Sequence, residues 1–76
     1  MDLLLNVDSL REMRNKNGLK RSYVAEKLQI SPDYLNLIER GERPLNVPKI
    51  EILANLYKTS YIDLALSALK TYKKYM

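Results

Sequence analysis

The side chains able to do chemistry in this 76-residue chain are cations, carboxylates, amides and hydroxyls; His and Cys do not occur. A chain without them lacks the commonest general base and any thiolate nucleophile or thiolate metal ligand. Its two glycines stand apart at positions 18 and 41, so no glycine-rich loop can cradle a phosphate. What remains is a set of cations placed around a short mixed segment. Lys20 and Arg21 are adjacent, Arg40 and Arg43 lie three apart, and Lys49 follows; between these groups stand Asp33, Tyr34, Asn36 and Leu37. Lys and Arg bind phosphate oxygens, and Arg also forks onto guanine. Asn pairs with adenine, Asp accepts from the cytosine amino group, and apolar or aromatic side chains meet the thymine methyl. The chemistry this set offers is recognition of a nucleic acid. No enzyme activity, metal or cofactor is expected.

Those residues must be held by short helices. Residues 19–41 read as two of them joined by a tight turn. Ser31-Pro32 opens the second: Ser caps, and Pro at the first helical position sacrifices no hydrogen bond. Leu35 and Ile38 mark its inner side, and Gly41 can end it in the left-handed region at little cost. Val24, Ala25 and Leu28 line the inner side of the preceding helix, with Glu26, Lys27 and Tyr23 outward. A first helix is expected over about 8–17, with Ser9 and Glu12 in a capping-box pattern and Val7, Leu10 and Met13 inward. A fourth is expected over about 47–58, capped by Asn46, and a fifth over about 61–74, opened by Ser60 and Asp63. Residues 1–76 form one all-α unit of five helices, without repeat, strand pattern or linker.

The formal net charge is +4, from 13 basic and 9 acidic residues. From Met13 to Ala25 there are four basic residues and no acid, and Lys70, Lys73 and Lys74 form a second cluster. Local positive potential suits a phosphate backbone, although lysines at a helix C-terminus also simply oppose the helix dipole. The apolar run Leu3-Leu4-Leu5 is too short for a signal peptide, and no stretch approaches the ~20 apolar residues that span a bilayer. A soluble cytoplasmic chain is expected.

The ordered set Leu10, Met13-Arg14, Gly18-Leu19, Val24-Ala25, Leu28, Ser31, Leu35, Ile38-Glu39, Gly41, Pro44, Leu53-Ala54, Ser60 and Leu64 resembles the phage-repressor and Cro-type (XRE) helix-turn-helix family over roughly residues 7–64. The resemblance implies a five-helix lambda-repressor-like fold, with residues 32–40 as a recognition helix in the major groove of double-stranded DNA. It implies a bacterial or phage source and a repressor of transcription. It places a backbone contact at Arg21 and further ones around Arg40 and Arg43, and a structural ion pair between Arg14 and Glu39. The family usually carries Ser or Thr and then Gln where this chain has Lys20 and Arg21. It often carries Gly where this chain has Gln29, which must then take a positive φ.

From the residues themselves, Lys20 and Arg21 sit at a helix N-terminus whose free N–H groups attract phosphate. Lys49 is a further phosphate candidate. At the positions the resemblance marks for base reading, Arg21, Asp33, Tyr34, Asn36 and Leu37 are the expected readers; Asp33 also suits a helix N-terminus as an acid.

Helices four and five carry more apolar surface than one stripe needs. Val47, Ile50, Leu53, Ala54 and Tyr57 form one face of helix four, leaving Ile52 and Leu56 elsewhere. Ile62, Ala65, Leu66, Leu69 and Tyr72 form the stripe of helix five, leaving Leu64, Ala68 and Tyr75 off it. A helix apolar on two sides is buried on two sides. The expectation is a two-fold homodimer through Ile52, Leu56, Leu64, Leu66, Leu69, Tyr72 and Tyr75, reading a pseudo-palindromic operator; burial against Leu3-Leu4-Leu5 is the intrachain alternative. A different function class also fits the pattern: a protein-interaction module docking a toxin or anti-repressor partner through Tyr34 and Leu37.

Overall fold

Helix formation here is governed at both ends by local chemistry. In the computed structural model, which describes residues 6–72, five helices run in order: α1 Leu10–Lys16, α2 Arg21–Leu28, α3 Pro32–Glu39, α4 Val47–Leu56 and α5 Tyr61–Thr71. Four are capped by a side chain that accepts from a backbone N–H three residues on: Ser9 from Glu12, Ser31 from Tyr34, Asn46 from Lys49 and Ser60 from Asp63. At α1 the box is complete, because Glu12 accepts in return from the Ser9 N–H at 2.9 Å. That bond holds the Glu12 carboxyl below its ordinary pKa.

Four helices end in the same way. A residue in the left-handed region follows the helix, and the next N–H reaches back five residues. The residues are Gly18 (φ 68), Gln29 (φ 58), Gly41 (φ 81) and Lys58 (φ 55). The returning bonds are Leu19 to Arg14, Ile30 to Ala25, Glu42 to Leu37 and Thr59 to Ala54. These Schellman closures satisfy carbonyls that the helix leaves open. At Gln29 and Lys58 a side chain stands where glycine is cheaper.

The core consists of Leu10, Val24, Ala25, Leu28, Leu35, Ile38, Ile50, Leu53, Ala54, Tyr57 and Leu64. α2 packs on α3 and α4, while α5 packs on α4 and α1. The inward residues expected for α1 to α3 are buried or lie against this core, except Val7, which precedes α1 and is half-buried. Helices four and five differ from expectation. Val47 is 59% exposed and Leu56 packs partly against the core. In α5 the stripe is rotated: Leu64 is fully buried, Ala65 and Ala68 pack inward, and Ile62 is 70% exposed.

The reason for that rotation is polar. Ser67 is buried and donates to the Asp8 carbonyl at 2.6 Å, Lys70 donates to the Val7 carbonyl, and Thr71 accepts from the Leu10 N–H at 3.1 Å. One face of α5 is therefore occupied by the chain segment entering α1. α4 stops at Leu56 and α5 at Thr71, short of the expected 58 and 74. Leu3, Leu4, Leu5, Lys73, Lys74 and Tyr75 lie outside the described residues.

Candidate nucleic-acid interface

The short turn between α2 and α3 holds the two helices as one unit. Gln29 turns the chain and Ser31 restarts it, so three helices meet at the end of α3. There Glu39 lies with its side chain 0% exposed. Arg14 grips it with two N–H groups, Nε at 2.6 Å and Nη2 at 3.2 Å, and donates its Nη1 to the Leu19 carbonyl at 3.0 Å. Arg11 Nε lies 3.4 Å and Arg21 Nε 3.6 Å from the same carboxylate. Hydrogen bonding to Glu39 raises the Arg14 pKa against the opposing effect of burial. A lone buried carboxylate would be costly; here it is paired by geometry that repays desolvation. Beneath it, Tyr57 is buried with a hydroxyl that has no hydrogen-bond partner. Burial, and secondarily the Glu39 charge, push the Tyr57 pKa well above its ordinary value.

This hub fixes the pose of α3. Leu35, Ile38 and Glu39 face inward; Pro32, Asp33, Tyr34 and Arg40 are exposed, and Asn36 and Leu37 are half-buried. Asn36 is not free: its Oδ1 accepts from Arg11 Nη2 at 3.2 Å. Bidentate pairing with adenine requires that oxygen. Arg21, expected at the surface, is 39% exposed and held towards Glu39, with its Nε buried and without a hydrogen bond. Lys20 is exposed at the N-cap of α2 and makes no capping bond, so the first turn of α2 receives no side-chain acceptor from that position.

Beyond α3, Arg40 pairs with Glu42 at 2.9 Å and Arg43 donates to the Glu42 carbonyl at 2.9 Å, all three exposed. Glu42 thus places one negative charge among the cations expected to meet phosphate. Tyr34, Pro44, Asn46 and Lys49 line a shallow groove of about 250 Å³ beside the start of α3, which puts Lys49 next to Tyr34.

Of the residues expected at an interface between two copies, Leu64 is excluded because the core encloses it. Leu56 lies partly against that core, Leu66 and Tyr72 are half-buried, and Ile52 and Leu69 are 37% and 38% exposed. Arg11 was not singled out by the sequence. Its three-residue spacing from Arg14, which puts both on one side of α1, is the signal that could have found it.

Among the described residues there is no cluster of potential metal ligands and no helix long and apolar enough to cross a membrane.

A tight α2–α3 pair held by a buried hub, with Asp33, Tyr34 and Arg40 exposed on the outer side of α3, is the architecture of a helix-turn-helix domain. Residues 10–64 match the helix-turn-helix family model, and the chain belongs to that family, which in its XRE branch comprises DNA-binding transcriptional regulators. Two curated relatives come from Mycobacterium tuberculosis. The HTH-type transcriptional regulator RamB is 47% identical over 38 residues, covering 50% of this chain and 8% of that protein. The HTH-type transcriptional regulator PrpR is 33% identical over 51 residues, covering 67% of this chain and 10% of that protein. The chain thus spans a tenth or less of the length of these relatives. No solved structure matches it significantly.

Proposed function

We propose that this chain binds double-stranded DNA sequence-specifically as a small homodimeric transcriptional repressor in a bacterial cytoplasm, with α3 in the major groove. The observation that supports this most is the outer side of α3. Asp33 and Tyr34 are exposed there, Lys49 shares a groove with Tyr34, and Lys20, Arg40 and Arg43 are exposed at the N-cap of α2 and around the end of α3. Lys20 and the uncapped first turn of α2 supply a phosphate seat on one side, and Arg40 and Arg43, flanking Gly41, supply another. These contacts set register, while residues 33–37 read bases. Repression rests on the resemblance to phage repressors.

A second copy gives two reading helices about 34 Å apart, matching successive major grooves on one face of the duplex. The surface assigned to it is an apolar groove of about 270 Å³, lined by Pro44, Leu45, Leu69 and Tyr72 among others. In sedimentation, Leu69→Asp is expected to shift the chain to monomer and to weaken binding to a palindromic site more than to a half-site.

The principal test is duplex binding by fluorescence anisotropy across a salt series. Affinity should fall steeply with salt, at about 0.9 log units per log unit for each phosphate neutralised. Arg43→Ala should lower that slope by about 1 for every sequence. A wild-type protein that binds no duplex at low ionic strength refutes the proposal. Salt-insensitive binding to a protein partner would favour the interaction-module reading instead.

A further inference from the structure

We infer that Arg11 and Arg21, drawn together by Glu39, form a two-guanidinium seat for one phosphate of the DNA backbone, so that α1, a helix outside the helix-turn-helix, also grips the duplex. The inference rests on the DNA-binding proposal above and adds a residue, Arg11, to that surface.

Three observations carry it. The first is an imbalance of charge. Arg14 alone satisfies Glu39, with Nε 2.6 Å from one carboxylate oxygen and Nη2 3.2 Å from the other. One carboxylate neutralises one guanidinium. Arg11 and Arg21 nevertheless stand beside it, at 3.4 and 3.6 Å, and among the described residues no other carboxylate pairs with either. Two positive charges are thus left over where α1, α2 and α3 meet, and they repel each other and Arg14. An anion from outside removes that repulsion.

The second is geometry. Both approaches are made by Nε, and both to the same oxygen, Glu39 Oε1. The two Nε atoms are therefore no farther apart than those two distances laid end to end. A phosphodiester carries two free oxygens on one phosphorus, and arginine forks onto such oxygens. Two guanidiniums this close can share one phosphate.

The third is availability. The Arg11 and Arg21 side chains are 44% and 39% exposed, against 9% for Arg14. Arg21 donates no side-chain hydrogen bond among the described residues. Arg11 donates Nε to Glu39 and Nη2 to Asn36, which holds it against α3, and keeps Nη1 free. Arg21 also opens α2, whose N-cap Lys20 makes no side-chain cap bond. An exposed lysine and open helix N–H groups therefore lie at the root of the Arg21 side chain. Long contacts made by part-exposed side chains contribute little to folding. Their value is pre-orientation: Glu39 fixes each Nε before the phosphate arrives, so less side-chain freedom is lost on binding.

The test is duplex binding by fluorescence anisotropy across a salt series, with one mixed-sequence duplex, because a phosphate contact carries no sequence information. It is run for the wild type, Arg11→Gln, Arg11→Lys and the double variant Arg11→Gln with Arg21→Gln, each checked by a thermal melt. Arg11→Gln should weaken binding several-fold with a melting temperature close to that of the wild type. Arg11→Lys keeps the charge and should recover most of the loss. A merely structural arginine would act on the melt and leave the salt series alone. The double variant should lower the log–log salt slope by about 0.9, the share of one phosphate. A fall of about twice that assigns the arginines to two phosphates and overturns the shared seat. An unchanged slope, or an Arg11→Gln protein that binds like the wild type, also overturns the inference. If the double variant does not fold, the wild type decides by NMR, with inorganic phosphate replacing chloride at constant ionic strength. The Arg11 and Arg21 Nε–H signals should shift with a single midpoint; separate midpoints, or an Arg11 signal that stays still, overturn the inference. Failure of the wild type to bind any duplex at low ionic strength overturns the DNA-binding proposal and this inference together, whereas salt-dependent binding that the double variant leaves unaltered overturns the inference alone.

Discussion

α3 and α5 begin alike, each with a serine cap and an acid in the first turn, and end in different trades. α3 buries a charge: Glu39 is enclosed, and three arginines from α1 and α2 approach it. α5 buries hydroxyls: Ser67 and Thr71 hold the segment entering α1, while Ile62 and Leu69 remain at the surface. In α3 the buried charge falls on the side already marked by Leu35 and Ile38, whereas in α5 the hydroxyls turn the helix away from its apolar stripe. The lesson is that apolar periodicity locates a core only where the burial is apolar; satisfied polar groups can turn a helix away from its apolar stripe.

The comparison breaks most visibly at Glu39. Glu39→Ala leaves the buried Arg14 guanidinium without its carboxylate, with those of the part-exposed Arg11 and Arg21 close by. It is expected to cost about 3–5 kcal/mol, the usual penalty for removing one partner of a buried pair. Urea melts of variant and wild type measure it directly, and an unchanged midpoint would overturn the hub.

On α5, Leu64→Ala should cost about 2–5 kcal/mol as a core truncation, whereas Leu69→Ala should change the folding stability of a dilute monomer by no more than about 0.5 kcal/mol. Equal effects would return α5 to the stripe that the sequence suggested.

Much of α1 to α4 was legible because their ends are written locally. Ser9 with Glu12, Ser31-Pro32, Asn46 and Gly41 each carry a physical instruction readable within four residues. The pairing of Arg14 with Glu39 came from resemblance, and the coordinates join the two residues. Arg11 and Arg21 crowding the same carboxylate was not legible, since it depends on where α1 and α2 meet. The exposure of Val47 was missed because the start of a helix projects beyond its neighbour. The rotation of α5 was missed because Ser and Thr score as surface residues until their hydroxyls find carbonyls. The left-handed Lys58 was missed because nothing in its type announces a turn.

Smaller effects sharpen the account. Tyr57→Phe removes a buried hydroxyl with no partner and should stabilise the domain by about 1 kcal/mol. Its pH signature is distinct. The native state retains the Tyr57 proton above the ordinary pKa of 10.0, whereas the unfolded chain releases it there. Stability is thus fully present below pH 10 and is lost as pH rises toward the higher native value. Thermal melts between about pH 9 and about pH 11 should show that decline in wild type and a weaker one in Tyr57→Phe.

Gln29→Gly relieves a left-handed side chain between α2 and α3. It is expected to add about 0.5–1 kcal/mol by the same melts. A loss instead would mean that the unfolded-state entropy of glycine outweighs the relief.

The bonds from Ser67 and Thr71 to Asp8 and Leu10 span 59 and 61 positions of sequence. The Leu10 amide, at the first turn of a seven-residue helix, is closed by a hydroxyl from the far end of the fold. Fraying of one end therefore releases the other. In native-state hydrogen–deuterium exchange the Leu10 amide should trade its proton in step with the Tyr72 amide, which caps α5 through the Ala68 carbonyl, and the two distant stretches should open as one cooperative unit.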